Sequence, residues 1–143
     1  MKKNETSNGY SLVIGGTGVI SITSALRKMG FKVQAADWPE RCLEQISLIR
    51  PQALILTDNM ICDPARRDNL SGHDRLLILL DKLRFSQLDP ETKIWLIVNQ
   101  QPSKAWQIFS QFESVYDIRQ KINVLLFAND LLAYLRNNQP LAV

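Results

Sequence analysis

Histidine and cysteine are scarce in this 143-residue chain, which has one histidine, His73, and two cysteines, Cys42 and Cys62. One imidazole and two thiols without CxxC spacing cannot assemble an ordinary zinc site. A Ser-His-Asp triad or a two-histidine metal centre is disfavoured for the same reason. The two cysteines read as free thiols of a reducing cytoplasm. No run of about 18 apolar residues occurs, so no membrane-spanning helix and no membrane partner is expected. Residues 1–9 are polar, with no apolar run behind Lys2 and Lys3, so no signal peptide is expected either. Charge of one sign is also lacking: 17 basic residues face 14 acidic ones, a net +3. The basic residues are scattered rather than banked into a run, which makes nucleic acid an unlooked-for partner.

What the chain does have is the usual globular mixture, 45% hydrophobic and 22% charged residues. A domain of this length buries roughly 70% of the surface of its unfolded chain and needs no staple. It is too short for a two-domain dehydrogenase or an eight-fold barrel enzyme, and the expectation is a stand-alone domain rather than an enzyme. The apolar runs 10–14, 31–36, 53–57, 94–98 and 115–119 read as strands. Between and after them, helical patterns cover about 19–29, the segment opened by Asp37-Trp38-Pro39-Glu40, 71–85, a segment capped by Ser103, and 125–135. Gly30 suits a helix end, and Pro39 a first helical turn. Strands alternating with helices give right-handed crossovers and a parallel sheet covered on both faces. The fold class expected is α/β, a flavodoxin-like doubly wound five-stranded parallel sheet in the order 2-1-3-4-5. Residues 1–9 are expected as a disordered tail, 10–137 as the domain and 138–143 as a second tail. Function in such sheets gathers at the carboxyl ends of the strands. Those ends carry Gly15, Gly16, Asp37, Asp58, Asn59, Asn99, Gln100, Gln120 and Lys121.

From Ser11 to Arg136 the chain resembles the receiver domain of bacterial response regulators. The stretch Ala53-Leu54-Ile55-Leu56-Thr57-Asp58-Asn59-Met60 is similar to the strand ending in that family's phosphorylated aspartate. The resemblance places Asp58 at the phosphoacceptor, Asn99 at the Ser/Thr switch position and Lys121 at the phosphoryl-contacting lysine. Gly16 and Asp58 lie 42 positions apart and Asn99 and Lys121 lie 22 apart, as the family has them. The interval from Asp58 to Asn99 is longer than the family's, and the excess falls between Asp58 and Leu70. Ser71-Gly72-His73-Asp74 then resumes the family's turn into its third helix.

The departures from that pattern concern chemistry. Receivers carry two acids after the first strand, which help hold magnesium; here these places are Gly15 and Gly16. A hard cation left with Asp58 binds weakly, so magnesium is expected weak or absent, with no other cofactor and no metal site. Without it, donor and carboxylate repel each other. Ile118 stands at the aromatic switch position and Ile122 where a proline follows the lysine. The resemblance is to a degenerate pseudo-receiver that acts independently of phosphorylation, by protein–protein contact. The partner implied is a sensor kinase or an output protein on the face of the fourth helix, fifth strand and fifth helix, with a homodimer as a further option. A true receiver with a rearranged metal site is a third reading, with Asp63, Asp68 or Asp74 as the replacement ligand.

The opening Ser11-Leu12-Val13-Ile14-Gly15-Gly16-Thr17-Gly18-Val19-Ile20 resembles that of nucleotide-sugar epimerases and short-chain dehydrogenases. Gly16-Thr17-Gly18-Val19-Ile20-Ser21 is GxGxxG with serine in the last place, and Asp37 stands 19 positions after Gly18. The alternative is therefore a small Rossmann-like nucleotide- or anion-binding module using Gly16, Gly18, Ser21 and Asp37. Against it, none of Tyr10, Tyr116 and Tyr134 has a lysine four residues on. The plainer account of the glycines is a tight strand-to-helix turn. A cobalamin-binding domain shares the layout but needs a histidine in the first loop, far from His73. His73 is expected to face solvent, Asp58 to pair with Lys121, and Trp106, Phe109 and Phe112 to form core, one of them leaving a contact surface.

Overall fold

A computed structural model describes residues 7–85, 88–120 and 122–140. Five strands, β1 (Ser11–Gly15), β2 (Lys32–Ala36), β3 (Ala53–Thr57), β4 (Lys93–Ile97) and β5 (Val115–Arg119), alternate with five helices. These are α1 (Ile20–Lys28), α2 (Pro39–Ile49), α3 (Gly72–Arg84), α4 (Pro102–Phe109) and α5 (Val124–Asn138). The sheet runs β2-β1-β3-β4-β5, and every neighbouring pair is parallel. This is the expected flavodoxin-like order.

The central strand explains the layering. β3 is buried at all five positions, so both of its faces must be covered. Leu54 and Leu56 point into one cluster with Cys42 and Ile46 of α2, Leu76 and Leu79 of α3, and Ala105 and Phe109 of α4. Ala53 and Ile55 point into the other, with Ile22 and Leu26 of α1 and Phe127 and Leu131 of α5. The two-residue strand period thus splits the core, three helices on one face and two on the other. The connections from strand to helix all lie at the carboxyl end of the sheet, which brings the candidate side chains to one edge.

Several boundaries differ from the sequence reading. Ser103 is not the cap of α4: Pro102 occupies the first turn after Gln101, and no side chain bonds there. α4 ends at Phe109, so Phe112 is buried core outside the helix while Trp106 is half-exposed. Residues at the margins of the expected tails are bonded to the domain. The Asn8 N–H donates to Gly30 O at 3.0 Å, and the Asn8 Oδ1 accepts the Tyr10 N–H at 2.9 Å. Asn138 closes α5, and Gln139 Nε2 donates to Gln52 O and Glu91 O across the amino end of the sheet. The outer parts of both tails lie outside the described residues.

Cys42 is fully buried against β1 and β3, and burial pushes its thiol up to about 12. The folded state therefore holds the neutral thiol where the unfolded chain ionises near 9.0. Stability from this term is complete below the unfolded value and declines as pH rises from 9.0 towards about 12. Cys42→Ala is expected to flatten that alkaline slope in urea titrations. Alkylation of the native protein at pH 8 should label Cys62 well before Cys42.

Candidate functional site

The carboxyl end of the sheet is closed by hydrogen bonds between loops that are far apart in sequence. Asp58 follows β3 and Asn99 follows β4 after Val98. The Asn99 backbone N–H donates to Asp58 Oδ2 at 2.8 Å, and the Asn99 side-chain amide donates to Asp58 Oδ1 at 3.0 Å. The same amide nitrogen donates to Asn59 Oδ1 at 3.1 Å, and Gln120 donates to Asn99 O at 2.9 Å. Both carboxylate oxygens of Asp58 are thus engaged by one residue. Bonds from neutral donors to an ionised carboxylate are stronger than neutral pairs and hold the β4–α4 loop inward.

The structure brings Asp58 and Asn99 together as the resemblance implied. Lys121, the third member expected there, lies outside the described residues. In the described part the partner of Asp58 is Asn99.

Gly15 and Gly16 have packing reasons to be glycine. A Cβ on Gly15 would lie 2.7 Å from Cys42 Sγ and 2.8 Å from Leu56 Cδ2. A Cβ on Gly16 would overlap Thr57 Oγ1, and Gly16 has φ +120, a region that side chains avoid. Thr57 therefore fills the place over the end of β1 that an acid at residue 16 would need.

A divalent cation, which the receiver resemblance implies, does not fit this set of oxygens. Asp58 is engaged by Asn99. The Asn59 carbonyl accepts the Thr17 N–H at 3.1 Å and the Thr17 hydroxyl at 2.9 Å. The Met60 carbonyl accepts Arg75 Nη1 at 3.0 Å. The spare acids are also turned elsewhere: Asp63 caps Ala65, and Asp68 pairs with Arg75 at 2.6 Å. Hydrogen bonding by the Arg75 guanidinium holds the Asp68 carboxyl below its usual range. Among the described residues no group of three or more His, Cys, Asp or Glu could hold a metal.

The dinucleotide-type residues are only partly assembled. Gly16, Gly18 and Asp37 line an open groove of about 1150 Å³ between α1 and β2, together with Arg27, Lys28 and Lys32. Ser21 is exposed, so the close helix–strand packing that the last glycine of a fingerprint serves is not in play. Gly18, with φ +73 and open space where a Cβ would go, is the turn residue of the loop.

Sequence reasoning missed Thr57, Arg75 and the role of His73. His73 is half-buried rather than facing solvent: its Nδ1 lies 3.0 Å from Gln100 Nε2, and its ring lies 5.5 Å from that of Phe109. Gln100 is the neighbour of Asn99, so α3 grips the same loop from the other side. On the opposite flank, Arg119 bridges Asp117 at 2.8 Å and Asp130 at 2.9 Å, joining β5 to α5. Tyr116 is half-exposed there and stacks on Tyr134 at 4.3 Å.

No protein family profile and no curated protein sequence matches the chain. Solved structures do. A response regulator from Desulfuromonas acetoxidans is 12% identical with a TM-score of 0.67, over 90% of this chain and 98% of its own. A CheY-like receiver domain protein from Methanospirillum hungatei JF-1 is 15% identical with a TM-score of 0.68, over 91% and 96%. The chain has the receiver fold. A cobalamin-binding protein from Desulfitobacterium hafniense DCB-2 shares the architecture at 12% identity and a TM-score of 0.66, over 88% of this chain and 59% of its own. At such identities the likeness concerns fold alone. No helix among the described residues is long and apolar enough to cross a membrane.

Two outcomes are expected from the glycine loop. Gly16→Ala should destabilise the protein by about 3 kcal/mol, from overlap with Thr57 and a strained φ, against about 1 kcal/mol for the unobstructed Gly18→Ala; urea titration measures both. NAD and NADP should leave the melting temperature unchanged, and a titratable rise with either would assign the groove to a dinucleotide.

Proposed function

We propose that this protein is a receiver-like signalling domain, working in the cytoplasm, that acts by binding another protein and not by accepting a phosphoryl group. The observation that carries this reading is the engagement of both Asp58 oxygens by Asn99. In-line attack on a phosphoryl donor needs a carboxylate oxygen able to turn towards the donor and a cation to offset the donor's charge. Here the nucleophile is already bonded, and the oxygens that would help hold a cation are bonded as well. Engaged in this way, Asp58 serves as a fixed post that keeps the β4–α4 loop drawn in.

The consequence is mechanical. With Asn99 held by Asp58 and Gln100 by His73, α4 follows from a loop anchored on both sides. The face made by α4, β5 and α5 is then presented in one arrangement, with Trp106 and Tyr116 half-exposed on its elements. Half-exposed aromatics of this kind are favoured at protein interfaces. A sensor kinase or an output protein is the partner proposed for it, and binding rather than catalysis the role.

The deciding experiment exposes the protein to beryllofluoride or acetyl phosphate with magnesium. Amide spectra should stay unchanged at concentrations that saturate ordinary receivers, and intact-mass analysis should show no phosphoryl adduct. Stoichiometric, hydroxylamine-labile modification at Asp58 would overturn the reading.

A further inference from the structure

The turn that presents Asp58 and Asn59 to Asn99 has its backbone held by protein groups from three sides. Asn59 O is held by Thr17, the Ile61 N–H donates to Asp37 O at 3.1 Å, and Met60 O is held by Arg75. The α3 N-terminus presses on the same turn, since a Cβ on Gly72 would overlap the Asp58 carbonyl. Of these grips only Arg75 brings a formal charge. Its side chain is 13% exposed, and its Nε is buried without a partner among the described atoms. Burying an unmet donor is unfavourable, so the other two nitrogens must hold the guanidinium in place. Nη1 meets the Met60 carbonyl at 3.0 Å and Nη2 meets Asp68 Oδ1 at 2.6 Å.

Asp68 belongs to the long segment between Asp58 and Leu70 that sets this chain apart in spacing. Its Oδ1 also accepts the Leu70 N–H at 2.9 Å, which orients the carboxylate before Arg75 reaches it. Arg75 sits one turn into α3, its own N–H bonded to Ser71 O at 3.0 Å. Acid, guanidinium and carbonyl form one line from the extra loop to the turn beside the candidate site.

We propose that Arg75 is a positioning residue for Asp58. Steered by Asp68, its guanidinium holds the Met60 carbonyl and keeps the Asp58–Met60 turn in the shape that Asn99 closes. The extra loop is then the means by which this turn stays ordered. Lysine replaces arginine only in part here, because one ammonium nitrogen cannot occupy both places from which Nη1 and Nη2 meet Met60 and Asp68.

This inference rests on the Asp58–Asn99 contact of the proposed function, and hydrogen exchange on the full chain separates the two. The Asn99 backbone N–H should be protected in the unaltered protein. Arg75→Met and Asp68→Asn should each speed its exchange about tenfold, with the α5 amides unchanged, because residues acting through one network lose its coupling together. Arg75→Lys should fall between, and the double variant Asp68→Asn with Arg75→Met should go no further than the stronger single one. Exchange at Asn99 that stays at the unaltered rate in both single variants, while the melting temperature falls, would reduce Arg75 to a staple of the loop and overturn the proposal alone. An unprotected Asn99 N–H in the unaltered protein would overturn both readings. Asp68→Asn, an exposed and isosteric change, carries the test if Arg75→Met fails to fold.

Discussion

A carboxylate at the end of a buried parallel strand must find donors, and here Asp58 finds both in Asn99. That pair joins the ends of β3 and β4, the two strands whose side chains form the centre of both core clusters. Loops on either side are arranged around it. Asn59 turns back to Thr17 and its side chain meets Asn99, and Gln120 reaches in from the end of β5. Bonds to a carboxylate are stronger than bonds between neutral groups, and here two come from one residue, so this contact outranks its neighbours.

The rest of the carboxyl end shows how protein packs around two glycines after β1. Glycine at residues 15 and 16 leaves room, and protein fills it: Cys42, Leu56 and Met60 close over Gly15, and Thr57 over Gly16. Close packing of interiors leaves no vacancy there. Carboxylates at residues 15 and 16 would require Thr57 and the loop backbone to move, not only two side chains to change. The oxygens that remain have taken protein donors, Thr17 for Asn59 and Arg75 for Met60.

The loop after β4 is where this chemistry meets shape. Asn99 is held from the sheet side and Gln100 from α3 through His73, whose ring in turn lies against Phe109 in the core. A segment anchored at both residues transmits little freedom to the helix that follows.

The sequence by itself determined the architecture. The apolar run Ala53–Thr57, the alternation of strand and helix patterns and the turn at Gly15–Gly18 imply a doubly wound sheet, because period and punctuation are local properties. They also placed Asp58 and Asn99 at the same edge, since strand ends in such a sheet share a side. Only the tertiary structure decided what those residues do. That Asn99 closes on Asp58 depends on a rotamer and on loops 41 positions apart. That Thr57 excludes an acid at residue 16, that His73 turns inward, and that Arg75 reaches Met60 across 15 positions have no periodic signature. Trp106 was legible as part of an aromatic series but not as half-exposed, because α4 stops three residues before Phe112 and the series does not stay on one helix. Faces are written in short-range pattern, whereas partners across loops are set by where the packed core brings the strand ends.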